Sequence, residues 1–88
     1  MEIAAKIIEI ARKRVTKTGI MYGAALSYFQ LKDYLEFMQA NELLEYTSEK
    51  RLYHTTEKGM RFLNGYQELQ HMLYPKKSEE LLLKKSKV

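Results

Sequence analysis

The sequence predicts a mainly α-helical fold with one small β-hairpin, an α+β chain. Three observations carry that reading. Apolar residues recur at helical spacing in three separate stretches. Two short runs, 43–46 and 52–55, flank the polar pentapeptide Thr47-Ser48-Glu49-Lys50-Arg51, whose length suits a hairpin loop. Only one proline and four glycines interrupt the 88 residues, and helix formers dominate the rest.

The first helix follows from Ile3, Ile7, Ile10 and Ala11, widened by Ala4 and Ile8, with Glu2, Lys6, Glu9 and Lys13 on the opposite face. It is expected to fray near Val15-Thr16, where β-branched side chains interrupt good helix formers. Thr18 is placed to cap a short second helix through Tyr22, and Gly23-Ala24-Ala25 supplies small residues for a tight turn. Ser27 with Gln30 three positions later has the form of a capping box opening a third helix, whose buried stripe is Leu31, Tyr34, Leu35 and Met38. Asn41 is its expected stop, as the non-glycine residue best able to take a left-handed conformation. After the hairpin, Thr56 caps a fourth helix with Glu57 in its first turn, where negative charge complements the helix dipole. Phe62, Tyr66, Leu69 and Leu73 are spaced four, three and four, a heptad seam with Met60 and Leu63 beside it. Pro75 ends that helix at or before Tyr74. Residues 75–88 form a basic tail around Leu81-Leu82-Leu83, expected to be mobile or ordered only on a partner.

Composition excludes several classes of function. At 45% hydrophobic and 30% charged residues the chain is globular rather than disordered, and its length allows one small core but no two-lobed enzyme. Cysteine is absent, which removes disulfides, thiolate zinc sites and cysteine nucleophiles. His54 and His71 have no ligand pattern around them, Asp33 is the only aspartate, and neither Ser27 nor Ser48 lies in a motif that positions a base. The expectation is therefore no metal, no cofactor and no enzyme. No apolar run approaches the roughly 18 residues of a membrane span, and Glu2 and Lys6 stand where a signal peptide is apolar. A cytoplasmic protein is expected, nucleoid-associated if it binds DNA. The net charge of +4 is unevenly spread: +3 over residues 1–18, −3 over 19–46, +1 over 47–75 and +3 over 76–88. Such a chain has no uniform basic coat, so a polyanion must be met by separate patches.

The order helix, short helix, tight turn, helix, hairpin, helix is that of a winged helix-turn-helix, in which the third helix enters the major groove and the hairpin touches flanking backbone. The segments Ile20-Met21-Tyr22, Leu26-Ser27-Tyr28-Phe29-Gln30-Leu31-Lys32-Asp33-Tyr34-Leu35 and Thr56-Glu57-Lys58-Gly59, followed by Phe62-Leu63, resemble archaeal winged-helix proteins of the 10a chromatin-protein type. The resemblance covers about residues 5–73. It implies a homodimer joined by antiparallel C-terminal helices, with two DNA-binding wings facing outward. The sequence departs from that pattern at Gly19, Phe29 and Glu42, where relatives often carry basic residues or a helix-ending glycine. Residues 1–59 are thus read as the DNA-binding domain, 60–74 as a coiled-coil-like dimerisation helix through Phe62, Tyr66, Leu69 and Leu73, and 75–88 as the tail.

With the Leu31 stripe inward, Phe29, Asp33 and Glu36 point most directly outward, with Lys32 beside them and Tyr28 at the N-terminal end. Tyr28 and Lys32 suit a phosphate or base edge, and Phe29 suits a thymine methyl group; Ser27 and Gln30 share this end of the helix. Arg12, Lys13, Arg14 and Lys17 form the densest basic cluster, while Lys50 and Arg51 occupy the hairpin tip, both suited to phosphate contacts on double-stranded DNA. The seven tyrosines are scattered and read mostly as core or core-edge residues rather than a single-strand stacking platform. The acidic balance of 19–46 supports a second reading, a winged-helix protein-interaction module using Phe29, Phe37 or the tail leucines, with little DNA affinity.

Overall fold

The amphipathic start of the chain forms α1, Glu2–Ile10, in a computed structural model that describes residues 2–73. Ile7 and Ile8 are both fully enclosed, and Ala4 and Ala5 let neighbouring elements approach closely. The helix tightens into a 3-10 turn at Ala11–Lys13 and is followed by α2 (Lys17–Gly23), α3 (Tyr28–Ala40), β1 (Leu44–Thr47), β2 (Leu52–Thr55) and α4 (Glu57–Leu73). The element order is the expected one. Pro75 and the basic tail lie outside the described residues.

Local chemistry accounts for most boundaries. Ser27 accepts from the Gln30 backbone N–H at 3.2 Å, while Gln30 Oε1 accepts from the Ser27 N–H at 3.0 Å, completing the expected capping box. The cap of α2 is Thr16 rather than Thr18: its Oγ1 accepts from Gly19 N–H at 3.0 Å, and the helix starts earlier than the sequence reading placed it. Both α2 and α3 end in the same device. Leu26 N–H bonds Met21 O and Ala25 N–H bonds Tyr22 O; Leu43 N–H bonds Met38 O and Glu42 N–H bonds Gln39 O. These are paired 6→1 and 5→2 bonds around left-handed Ala25 (φ 56°) and Glu42 (φ 59°), with Leu26 and Leu43 buried just beyond. Asn41 is therefore not the left-handed stop. Its φ is −96° and its side-chain amide donates to Phe37 O at 2.8 Å, while the next residue takes the strained backbone.

That placement has a consequence for stability. A side chain in the left-handed region costs about 1–2 kcal/mol, which glycine avoids. Glu42 is exposed and its described bonds are all made by its backbone. Glu42→Gly should raise the thermal midpoint by roughly 4–8 °C in a melt followed by circular dichroism. A lower midpoint would contradict the left-handed assignment.

The hairpin pairs β1 and β2 antiparallel, Leu44 opposite Thr55 and Thr47 opposite Leu52. Tyr46 and Tyr53 face each other at 4.7 Å between ring centroids. Val15 adds a third, one-residue strand: its N–H donates to Tyr53 O at 2.9 Å and its carbonyl accepts from Tyr53 N–H at 2.7 Å. The chain at Val15-Thr16 is thus a sheet edge rather than a fraying helix end. Burial raises the phenol pKa of Tyr53, with the nearby Tyr46 adding to the shift. Thr55, the one buried polar side chain among the described residues, donates to Ile8 O at 2.6 Å and ties the hairpin to α1. Leu31, Leu35 and Met38 from α3, Ile20 from α2 and Leu63 from α4 complete a single core. Among the described residues, no helix is long and apolar enough to cross a membrane and no cluster of three or more His, Asp or Glu could hold a metal ion.

Candidate nucleic-acid interface

All eleven residues picked out as nucleic-acid contacts lie exposed on the surface. Arg12 and Lys13 belong to the 3-10 turn that closes α1, and Arg14 follows with left-handed backbone (φ 50°). This bend aims the chain at the hairpin. Because Val15 pairs with Tyr53, the basic segment is bonded to the strand that leads directly from Lys50 and Arg51 at the hairpin tip. Continuing the antiparallel register by one step sets Thr16 opposite Leu52, one residue from Arg51. The two basic clusters therefore flank one small sheet instead of lying on unrelated faces. Gly19 has a packing reason here, since a Cβ at that position would meet Val15 Cγ2 at 2.5 Å.

The N-terminal end of α3 is held rigidly. Ser27 and Gln30 direct their oxygens to the capping box, which leaves the Ser27 hydroxyl proton and the Gln30 amide hydrogens to donate outward. Tyr28 and Phe29 stand edge to face at 5.6 Å between centroids, inclined by 75°. Lys17 reaches across from the first residue of α2 and places Nζ 5.6 Å from the centre of the Tyr28 ring, within cation–π range. Lys17, Tyr28 and Phe29 thus form one surface group across the helix-turn-helix. Lys32 sits differently, with its Nζ 3.6 Å from Glu36 Oε2, so its charge is locally balanced. Asp33 is exposed on the same outward face.

Tyr22 is a further exposed aromatic that the sequence reading missed as a surface residue: it is 77% exposed, not core-edge. A helical wheel anchored on buried Ile20 finds it, because two residues on is 200° around the helix. Of the other described tyrosines, Tyr53 is buried, Tyr34 and Tyr66 are half-buried, and Tyr28 and Tyr46 are exposed, so half of the six face solvent.

On α4 the heptad residues divide into two groups. Phe62 and Tyr66 are half-buried against the protomer's own core and stack on each other at 6.5 Å. Leu69 and Leu73 are exposed, with Met72 exposed beside them. His54 is half-buried on β2 with Nδ1 3.5 Å from Glu45 Oε2, and His71 lies exposed on α4.

Comparisons with known proteins agree with this architecture. Among curated protein sequences nothing matches. A solved structure of Sso10a-2, a DNA-binding protein from Sulfolobus solfataricus, superposes with a TM-score of 0.68 at 24% identity, covering 88% of this chain and 86% of that one. The family model described as winged helix-turn-helix matches residues 1–74. With three helices, a hairpin bridged through Val15 to the segment between the first two of them and a long following helix, the chain belongs to the winged helix-turn-helix family.

Proposed function

We propose that the protein is a dimeric, double-stranded-DNA-binding protein of the transcription-regulator or small chromatin-protein kind, cytoplasmic and nucleoid-associated. The observation that carries the reading is the Val15–Tyr53 bridge, which draws the Arg12, Lys13, Arg14 and Lys17 segment and the Lys50-Arg51 tip to one small sheet beside α3. Cations gathered along one small sheet next to a helix-turn-helix match the phosphate contacts by which a winged helix positions itself on the duplex. In this reading Ser27, Tyr28, Phe29 and Gln30 approach base edges, Lys32 reaches the backbone at the margin, and Asp33 and Glu36 limit how deeply α3 enters. The similarity to an archaeal DNA-binding protein supports the same reading.

The far half of α4 supports the dimer. Leu69, Met72 and Leu73 leave an apolar face uncovered beside half-buried Phe62 and Tyr66. Gly65 flanks this face, and no atom of the described residues would lie within 4 Å of a Cβ there, which allows a second helix to come close. Two copies paired antiparallel along this face bury it by two-fold symmetry and carry two wings outward. The protein-interaction reading finds its support on another side of α3, where half-exposed Phe37 lines a shallow hollow with Ala4, Tyr34 and Asp33.

Two wing-tip cations make phosphate contacts in this account, and phosphate contacts carry no sequence information. The double change Lys50→Ala, Arg51→Ala should weaken binding equally on unrelated duplexes and reduce the log–log salt slope by about 2 per protomer, measured by fluorescence anisotropy. An unaltered slope would remove the wing from the interface.

A further inference from the structure

Phe29 is the least explained side chain at the interface. It lies in the first turn of α3, 77% exposed, and among the described residues its one ring neighbour is Tyr28, edge to face with it. The protomer's core does not use it. The outward face it belongs to continues through Lys32, Asp33 and Glu36, which are charged and, for the first and last, paired with each other. None of the 13 residues of α3 is arginine, and its single lysine is that paired one. The helix therefore lacks the usual donor for guanine O6 and N7, while its carboxylates disfavour close approach to phosphates beyond the first turn.

Beside the Ser27 and Gln30 donors, the N-terminal end presents an apolar ring, set edge to face with Tyr28, over whose ring Lys17 Nζ lies 5.6 Å from the centroid. The apolar feature that duplex DNA offers in the major groove is the C5-methyl group of a pyrimidine. We propose that Phe29 is the specificity-determining residue of this interface and reads pyrimidine C5-methyl groups, with Lys17 holding the adjacent phosphate. The inference rests on the DNA-binding reading above and adds to it a ligand chemistry: thymine, or cytosine methylated at the same carbon.

The test uses the full chain and one mixed-sequence duplex in three forms: unmodified, with every thymine replaced by deoxyuracil, and with every cytosine replaced by 5-methylcytosine. Removing the methyl groups should weaken binding about fourfold for each methyl that Phe29 covers, the value of one buried methyl-sized group. Phe29→Ala should bind the thymine and deoxyuracil duplexes alike, and Phe29→Leu should keep part of the difference. Tighter binding to the 5-methylcytosine form assigns the reading to any pyrimidine methyl; unchanged binding there, with the deoxyuracil loss, assigns it to thymine. Equal affinity of the native chain for thymine and deoxyuracil duplexes overturns the proposal, as does a deoxyuracil effect that persists in Phe29→Ala. Salt-dependent binding in every arm without methyl sensitivity overturns the methyl reading alone, whereas absence of duplex binding in every arm overturns the DNA-binding reading with it.

Discussion

Gly59→Ala is expected to be among the most damaging single-methyl changes in this protein, lowering the thermal midpoint by on the order of 10–20 °C. Gly59 lies in the first turn of α4, buried where that helix crosses the start of β1. A Cβ there would collide with the backbone carbonyl oxygen of Leu43 and come within 2.8 Å of Thr55 Cγ2. Neither obstacle moves freely. The Leu43 carbonyl accepts from Thr56 N–H at 3.1 Å, and the Thr55 side chain is fixed by its bond to Ile8 O. Overpacking against backbone typically costs about 1–3 kcal/mol and more where nothing can shift, which outweighs the gain of up to about 1 kcal/mol from placing alanine instead of glycine in a helix. Because Glu57 and Lys58 are exposed, their replacement by alanine in the same melting experiment should change the midpoint little. A Gly59→Ala melt that matches the native protein would show that α4 does not cross β1 this closely.

Leu69→Glu should convert a dimer into monomers, halving the mass found by light scattering to 10.4 kDa. At 51% exposure Leu69 contributes little to the protomer's core, so glutamate leaves the monomer folded. In an antiparallel pair of α4 helices the same position faces the partner, and a buried carboxylate without a cation is strongly unfavourable. Phe62 and Tyr66 are less discriminating sites for this test, since both also pack on their own core and their loss would affect folding as well as pairing. A Leu69→Glu protein that remains dimeric would take this face out of the assembly.

How much of this could be read from the residues depended on the range of the interaction involved. The Ser27–Gln30 box, the Thr56 cap and the α3 stripe are set by neighbours three to seven positions apart, and they appear where the spacing put them, with Leu31, Leu35 and Met38 buried and Tyr34 half-buried at the stripe's edge. Thr16 and Thr18 are both plausible caps by local chemistry alone. The choice falls to Thr16 because Val15 is pinned to Tyr53, a contact 38 positions away in sequence that no periodicity reveals. Helix α3 stops with Asn41 as its C-cap, where the sequence put it, but the left-handed residue is the next one: burying Leu43 requires the turn to reverse at Glu42, and that packing overrides the preference of asparagine for left-handed backbone. Thr56-Glu57-Lys58-Gly59 was legible as a motif but not as a mechanism. In the structure Thr56 Oγ1 accepts from Gly59 N–H and donates to Glu42 O, so threonine and glycine together make the joint between α3, β1 and α4.

The same division holds at the candidate site. Exposure of Phe29, Lys32, Asp33 and Glu36 follows from the helical wheel. The convergence of the first basic cluster on the wing does not, since it depends on the Val15 bridge. The Lys17–Tyr28 contact likewise joins two helices across a turn whose geometry is set by left-handed Ala25. A charge that looked merely fragmented along the sequence is gathered by these tertiary contacts.

This gathered charge is expected to bind the DNA backbone, and a salt titration of the native protein on a fluorescent duplex measures that binding. Engagement of about four cations per protomer predicts a log–log slope near −3.6 per protomer, from roughly −0.9 for each phosphate neutralised. A slope close to zero, or no measurable binding at low salt, would contradict the account.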